Sequence, residues 1–112
     1  MKINELINTL GLKVISGNGG VENEVTGAYV SDLLSDVIGS AASGNVWVTL
    51  QTHQNVVAVA SLKDLSAVIV VKGMVPSDDT IKKSNDENIP VLSTEETTFN
   101  IAGRLYDLLK KE

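Results

Sequence analysis

Polar residues that could bind a small ligand follow four predicted strands, at the point where each strand ends. In an open parallel sheet, ligands bind beyond the carboxyl ends of the strands, so we expect these residues to meet on one edge. The set offers hydrogen-bonding side chains, helix starts, one amine and one imidazole, which suits a small polar or anionic ligand. An alternative is that such loops only cap helices and contact solvent. The candidate ligand-binding residues are Ser31, Asp32, Gln51, Thr52, His53, Gln54, Asn55, Lys72, Gly73 and Thr94.

The same residues lack a complete set for catalysis or for metal binding. The chain has one histidine, His53, and no Gly-x-Ser-x-Gly elbow, so any catalytic triad would have to use that residue. A zinc site usually takes three or four nitrogen or sulfur ligands, and the chain has no cysteine. Asp32 and Asp36 would share one helix face and could hold magnesium through water, but the same spacing describes a solvated face. We therefore predict no enzyme activity, no metal and no cofactor.

One glycine pattern invites a nucleotide-binding interpretation that its context excludes. The segment Gly39–Gly44 matches the first six positions of a phosphate-binding P-loop, but Asn45 and Val46 replace the required Lys and Ser/Thr. It also follows a predicted helix and precedes a predicted strand, which is the reverse of the required order. The segment is therefore not a P-loop.

Strand and helix patterns alternate along the chain at the spacing of right-handed crossover units, which predicts a layered α/β sheet of about five strands. The most apolar strand has no alternation, as expected for a central strand buried on both faces. The predicted strands are Leu12–Ile15, Val25–Val30, Val46–Leu50, Ala67–Val71 and Pro90–Leu92. The predicted helices cover about residues 3–10, 32–43, 54–62, 77–88 and 93–111.

Three of these helices carry a predicted cap. Ser31 precedes an apolar stripe that begins at Leu33, and Ser77 precedes two acids in a first turn. Ser93 and Glu96 have the spacing of a capping box before a stripe that includes Phe99 and Tyr106.

Composition narrows the class of protein. The 112 residues suit one domain, and an aromatic fraction of 4% requires an aliphatic core. The absence of cysteine favours a reducing cytoplasm, and no stretch has the length of a membrane span or the pattern of a signal peptide. A net charge of −5 and nine Lys and Arg residues without a stripe argue against nucleic-acid binding. We therefore expect a soluble cytoplasmic protein with neither nucleic acid nor membrane as its partner.

Five segments that together span most of the chain have a familiar sequence: Gly27–Val37, Trp47–Ala60, Ala67–Gly73, Pro76–Pro90 and Thr97–Phe99. They resemble the stand-alone DRTGG-domain proteins of anaerobic bacteria, which are similar to the amino-terminal domain of HPr kinase/phosphorylase. The resemblance implies a single three-layer α/β/α domain with a regulatory role, often in a hydrogenase or electron-transfer setting. It does not imply kinase activity, because the kinase P-loop lies in a separate domain. The five-letter signature itself is missing, and Val71-Lys72-Gly73 stands where its glycine end is expected.

Two functions remain open. The first is a non-catalytic regulatory or ligand-sensing module, acting as a homo-oligomer such as a dimer, which binds a nucleotide or another phosphorylated metabolite. The second is an accessory subunit that docks on a redox enzyme or its maturation machinery and binds no small ligand. Exposure of Trp47 or Tyr106 within a large apolar patch would favour the second.

Overall fold

Five strands form one sheet in the order β1-β5-β4-β3-β2 in a computed structural model that describes residues 1–112. Strands β2, β3, β4 and β5 are parallel, and β1 pairs antiparallel with β5 at one edge. The mostly parallel five-stranded sheet is confirmed, with β4 in the middle as its unbroken apolar sequence predicted. The elements are α1 Ile3–Leu10, β1 Lys13–Ser16, β2 Gly27–Val30, α2 Leu34–Ser40, β3 Asn45–Thr49, α3 Asn55–Leu62, β4 Ala67–Val70, α4 Asp78–Glu87, β5 Val91–Ser93 and α5 Thr98–Leu109.

Helices cover both faces of the sheet, which confirms the three-layer α/β/α arrangement. Side chains alternate along each strand, so Val46 and Val48 face α1 and α5, whereas Trp47 faces α2 and α3. The sheet thus divides the aliphatic interior into two clusters of twelve buried residues each. None of the helices combines the length and apolar character needed to cross a membrane.

The predicted start of α2 is wrong. The helix begins at Leu34 and has Leu33 at its N-cap, with no side-chain cap. The hydroxyl of Ser31 accepts a hydrogen bond from the Leu33 N–H, two residues along the loop. Leu33 is 64% exposed, so it lies outside the buried stripe assigned to it. The cause lies in the next strand, where β3 and the residue after it bind the Asp32 side chain and keep residues 31–33 in a loop.

The predicted capping box of α5 is also wrong, whereas the cap of α4 is confirmed. Ser93 ends β5, and Thr97 caps α5 by accepting a hydrogen bond from the Asn100 N–H at 3.3 Å. Residues 94–96 remain non-helical because the carbonyls of Thr94 and Glu96 accept hydrogen bonds from the loop after β4. Ser77 caps α4 by accepting a hydrogen bond from the Thr80 N–H at 3.2 Å.

Candidate functional site

Four loops meet at the edge of the sheet where β2, β3, β4 and β5 end. We call this edge the rim and define it as residues 31–33, 50–55, 71–77 and 94–97. The strands are parallel and adjacent in the order β5-β4-β3-β2, so their carboxyl ends emerge side by side. Each of the ten candidate ligand-binding residues lies on the rim.

Asp32 joins the first rim loop to the second. One of its carboxylate oxygens accepts hydrogen bonds from the Leu50 N–H at 2.7 Å and from the Thr49 hydroxyl at 2.9 Å. The Asp32 carbonyl accepts another from the Gln51 side-chain amide at 2.9 Å. Asp36 instead accepts a hydrogen bond from the Tyr29 hydroxyl. Because Asp32 precedes α2 and each carboxylate has its own partner, the two acids do not form the shared helix face considered for magnesium.

The second loop connects to the start of α4 through the carbonyl of Thr52. This oxygen accepts hydrogen bonds from the Ser77 N–H at 3.2 Å and from the Thr80 hydroxyl at 2.7 Å. Beside it, the Nδ1 atom of His53 accepts a hydrogen bond from the Asn55 N–H at 3.1 Å. With Nδ1 acting as an acceptor, Nε2 is the ring nitrogen that can donate to a ligand. His53, Gln54 and Asn55 are exposed, and their side chains are accessible from solvent.

The third loop holds two consecutive residues in the left-handed conformation, with φ of 60° at Lys72 and 66° at Gly73. For a residue with a Cβ atom this conformation costs roughly 1–2 kcal/mol. The N–H groups of Lys72 and Gly73 donate to the carbonyls of Glu96 and Thr94, both at 2.9 Å, and so tie this loop to the fourth. The Glu95 carboxylate occupies the place where a side chain on Gly73 would lie. Backbone strain of this kind is concentrated at functional sites.

The charges on the rim are unevenly paired. Lys72 is exposed and forms no ion pair, while Glu96 is paired with Arg104. Glu95 also forms no ion pair, although it lies against the loop that carries Lys72. The rim therefore presents one free ammonium group with one free carboxylate nearby.

The rim is an open surface with little concavity. Ser31, His53 and Lys72 line none of the four cavities in the molecule. Thr94 lines a shallow cavity of about 360 Å³, beside Glu95, Glu96 and Lys13. Neither acid was among the predicted ligand-binding residues, which were chosen for binding an anion, and Glu96 was assigned to a helix cap instead. Their signal was their position directly after β5.

The largest cavity lies elsewhere, as a groove of about 530 Å³ between the edge strand β2 and α5. We call it the β2–α5 groove. Six of its eight lining residues are apolar; the full set is Gly27, Ala28, Val30, Ala102, Leu105, Tyr106, Leu109 and Lys110. Tyr106 is 71% exposed, and Phe99, two turns earlier on the same face of α5, is 86% exposed. Trp47 is fully buried and donates its indole N–H to the Ser31 carbonyl at 2.8 Å, so it forms no part of an exposed patch.

The strand order, the antiparallel edge strand and the helices on both faces define a three-layer α/β/α domain with a mostly parallel sheet. The chain belongs to the DRTGG domain family, whose sequence pattern matches residues 5–108. This match confirms the resemblance found in the sequence. No protein of curated function matches the chain.

A solved structure supports the same fold. The present chain is similar to the crystal structure of the CBS and DRTGG domains of the regulatory region of Clostridium perfringens pyrophosphatase, complexed with its activator, diadenosine tetraphosphate. The TM-score is 0.69 and the sequence identity is 19%. The likeness covers 93% of this chain but 45% of the other, so the present chain spans less than half of that regulatory region. At this identity the comparison shows a shared fold.

Proposed function

We propose that the chain is a non-catalytic regulatory domain that senses a small phosphorylated ligand at its rim. The observation that carries the proposal is a series of hydrogen bonds that links all four rim loops. The bonds join Asp32 with Leu50, Thr52 with Ser77, and Gly73 with Thr94. Loops linked in this way can report a ligand bound to one of them through movement of the others. The DRTGG family and the regulatory region that shares its fold support a regulatory role.

The ligand class we propose is a nucleotide or another phosphorylated metabolite. Lys72 supplies an ammonium group free of an ion-pair partner, and His53 supplies an Nε2–H donor at the start of α3. The related regulatory region binds diadenosine tetraphosphate, which supports a nucleotide. That complex contains CBS domains as well as a DRTGG domain. Our proposal adds that a nucleotide contacts the rim of the DRTGG domain directly.

Glu95 opposes such a ligand. Its carboxylate lies against Gly73, next to Lys72, and would repel a phosphate group bound there. We therefore expect Glu95→Gln to tighten nucleotide binding, whereas Lys72→Ala should weaken it. Opposite effects from two neighbouring residues would locate the phosphate near this loop.

A thermal-shift titration tests the proposal directly. Because a ligand that binds only the folded state stabilises it by about 2.7 kcal/mol at 100 times its Kd, a true ligand should raise the Tm by on the order of 10 °C. The probes are mono-, di- and trinucleotides and diadenosine tetraphosphate, each at millimolar concentration. His53→Ala and Lys72→Ala should each abolish the shift. Lys63→Ala is the control. It removes an unpaired cation at the C-cap of α3, at the end of the sheet away from the rim.

Two outcomes would contradict the proposal. The first is the absence of a Tm shift with every nucleotide. The second is a shift that His53→Ala and Lys72→Ala leave as large as in the parent chain, which would place the ligand away from the rim.

One observation favours the second candidate function, a docking subunit without a small ligand. The exposed Phe99 and Tyr106 side chains lie on α5, beside an apolar groove. Co-purification from a native extract tests it, because a docking subunit should retain a redox enzyme or maturation factor that Tyr106→Ala releases. A redox setting, an anaerobic host and a cytoplasmic location stay predictions from the sequence.

A further inference from the structure

The two edges of the sheet differ in how they are protected against pairing with another strand. Proteins block exposed edges with charged side chains, prolines or bulges. At one edge, β1 carries Lys13 and a register shift between Val14 and Ser16. At the other, β2 has neither a charge, nor a proline, nor a bulge, and its register against β3 is regular. The outer side of β2 is therefore open to main-chain pairing.

The apolar surface beside this open edge is continuous with it. Ala28 and Val30 point to the α5 face of the sheet and line the β2–α5 groove, where Val30 is 45% exposed. Tyr106 and Leu109 form the opposite wall. Helix α5 thus leaves the last strand of the sheet partly uncovered, and the open edge and the open groove form one surface.

We propose that this surface binds a second copy of the same chain, with the two β2 strands paired antiparallel across a twofold axis. A twofold axis reverses the strand direction, so identical edges meet as an antiparallel pair whose donors and acceptors complement each other. The two sheets become one continuous sheet. The two α5 helices then lie antiparallel over the joint, where each closes the groove of the other.

The area available lies at the lower end of the range for a dimer interface. Phe99 and Tyr106 together expose on the order of 300 Å² of aromatic side chain. The outer side of β2, Val30, Leu109 and the aliphatic stem of Lys110 add a comparable amount. The total is then about 600 Å² per partner, or about 1,200 Å² for the pair, the lower end of the range for specific interfaces.

Charge also favours a second copy over a different protein. Residues 26–31 contain no charged side chain, and Lys110 is the one charged residue that lines the groove. Its ammonium group lies 6.0 Å from the centre of its own Tyr106 ring and near Asp107, at 3.5 Å. The surface therefore offers a partner no unpaired charge of either sign beyond this locally engaged lysine. Two identical strand edges pair through main-chain hydrogen bonds, so they need no complementary charges.

Analytical ultracentrifugation of the full chain over a wide concentration range tests the proposal without any ligand. We expect a dimer for the parent chain and at least a tenfold weaker Kd for Val30→Lys and for Tyr106→Lys. Leu62→Lys is the matched control, because Leu62 is 69% exposed at the end of α3 and outside the groove. It should dimerise like the parent chain. Circular dichroism and the Tm of each variant confirm that it is folded.

Cysteine cross-linking gives the geometry, because the chain has no cysteine of its own. A disulfide requires Cα atoms within about 7 Å. Ala28→Cys and Val30→Cys, tested singly and as a mixture, should give a cross-linked dimer in at least one sample, whichever residue lies nearest the axis. Lys13→Cys on β1 should give no cross-linked dimer under the same oxidation.

The proposal is overturned if the parent chain is monomeric at millimolar concentration. It is also overturned if Val30→Lys and Tyr106→Lys dimerise like the parent, or if Lys13→Cys cross-links and the β2 variants do not. A monomer that retains a different protein through this surface would replace the second copy with that partner.

Discussion

The rim and the β2–α5 groove use their side chains in opposite ways. On the rim, polar groups bind one another: Asp32 holds β3, and the Thr52 carbonyl holds the start of α4. In the groove, Val30 and Tyr106 are exposed and support no other part of the isolated chain. A polar surface is thus partly a structural device, whereas an exposed apolar surface is free for binding. The difference predicts which substitutions change stability and which change only association.

Asp32→Ala should have the largest effect on folding among the rim variants. It removes a carboxylate that accepts two hydrogen bonds and leaves the buried Thr49 hydroxyl without its acceptor. Hydrogen bonds to charged groups contribute about 1.5–3 kcal/mol, so we expect the free energy of unfolding to fall by about 2–3 kcal/mol in urea titration. Asp32→Asn keeps an acceptor oxygen and should lose less. A change for Asp32→Ala no larger than that of exposed Ser35→Ala would mean that Asp32 is free for a ligand.

Thr80→Val should have the next largest effect, because it breaks the link between the second loop and α4. Valine has nearly the same shape but cannot donate to the Thr52 carbonyl, which then keeps the Ser77 N–H alone. Losing one hydrogen bond at a buried position costs about 1–2 kcal/mol. The control is Thr9→Val on the exposed face of α1, which should stay within about 0.5 kcal/mol. Equal losses for the two variants would show that this link adds nothing to stability.

Lys72→Gly should stabilise the chain while it removes the ammonium group. Glycine adopts the left-handed conformation at φ of 60° without the Cβ penalty, although its unfolded state is more flexible. We expect a net gain of up to about 1 kcal/mol in the free energy of unfolding. Lys72→Ala removes the same charge but keeps the penalty, so it should not stabilise. If the two variants unfold alike, the conformation at residue 72 is unstrained.

The strands and the layers could be predicted from the sequence because they depend on local patterns. The apolar run Ala67–Val71 predicted a central strand, and the position of Ser77 before Asp78 and Asp79 predicted a cap. The starts of α2 and α5 could not be predicted in this way. They depend on hydrogen bonds between residues far apart in the chain, such as Asp32 with Leu50 and Lys72 with Glu96.

The sequence predicted the position of the candidate site in the fold, but not its open, shallow surface. Parallel strands bring their carboxyl ends to one edge, so the rim followed from strand order alone. The absence of a cavity around His53 and Lys72 depends on side-chain packing, which residue types do not encode. On α5, periodicity placed Phe99, Leu105 and Tyr106 on one buried stripe. Leu105 is buried as predicted, together with Ile101, whereas Phe99 and Tyr106 are exposed. Helix α5 is apolar on two sides. Its apolar residues cover more of the helix than one buried stripe requires, and this excess was the sequence signal of a second surface.

Tyr106→Ala should have the smallest effect on stability. The side chain is 71% exposed and has no hydrogen bond, and alanine is a better helix former than tyrosine, so these terms nearly cancel. Measured at a protein concentration low enough to keep the chain monomeric, the free energy of unfolding should change by less than about 0.5 kcal/mol. The same variant at high concentration should lose more, since a dimer is stabilised by its own association. A loss of more than about 1 kcal/mol in the monomer would mean that Tyr106 already packs within its own chain. In that case the groove would be structural, as the rim is.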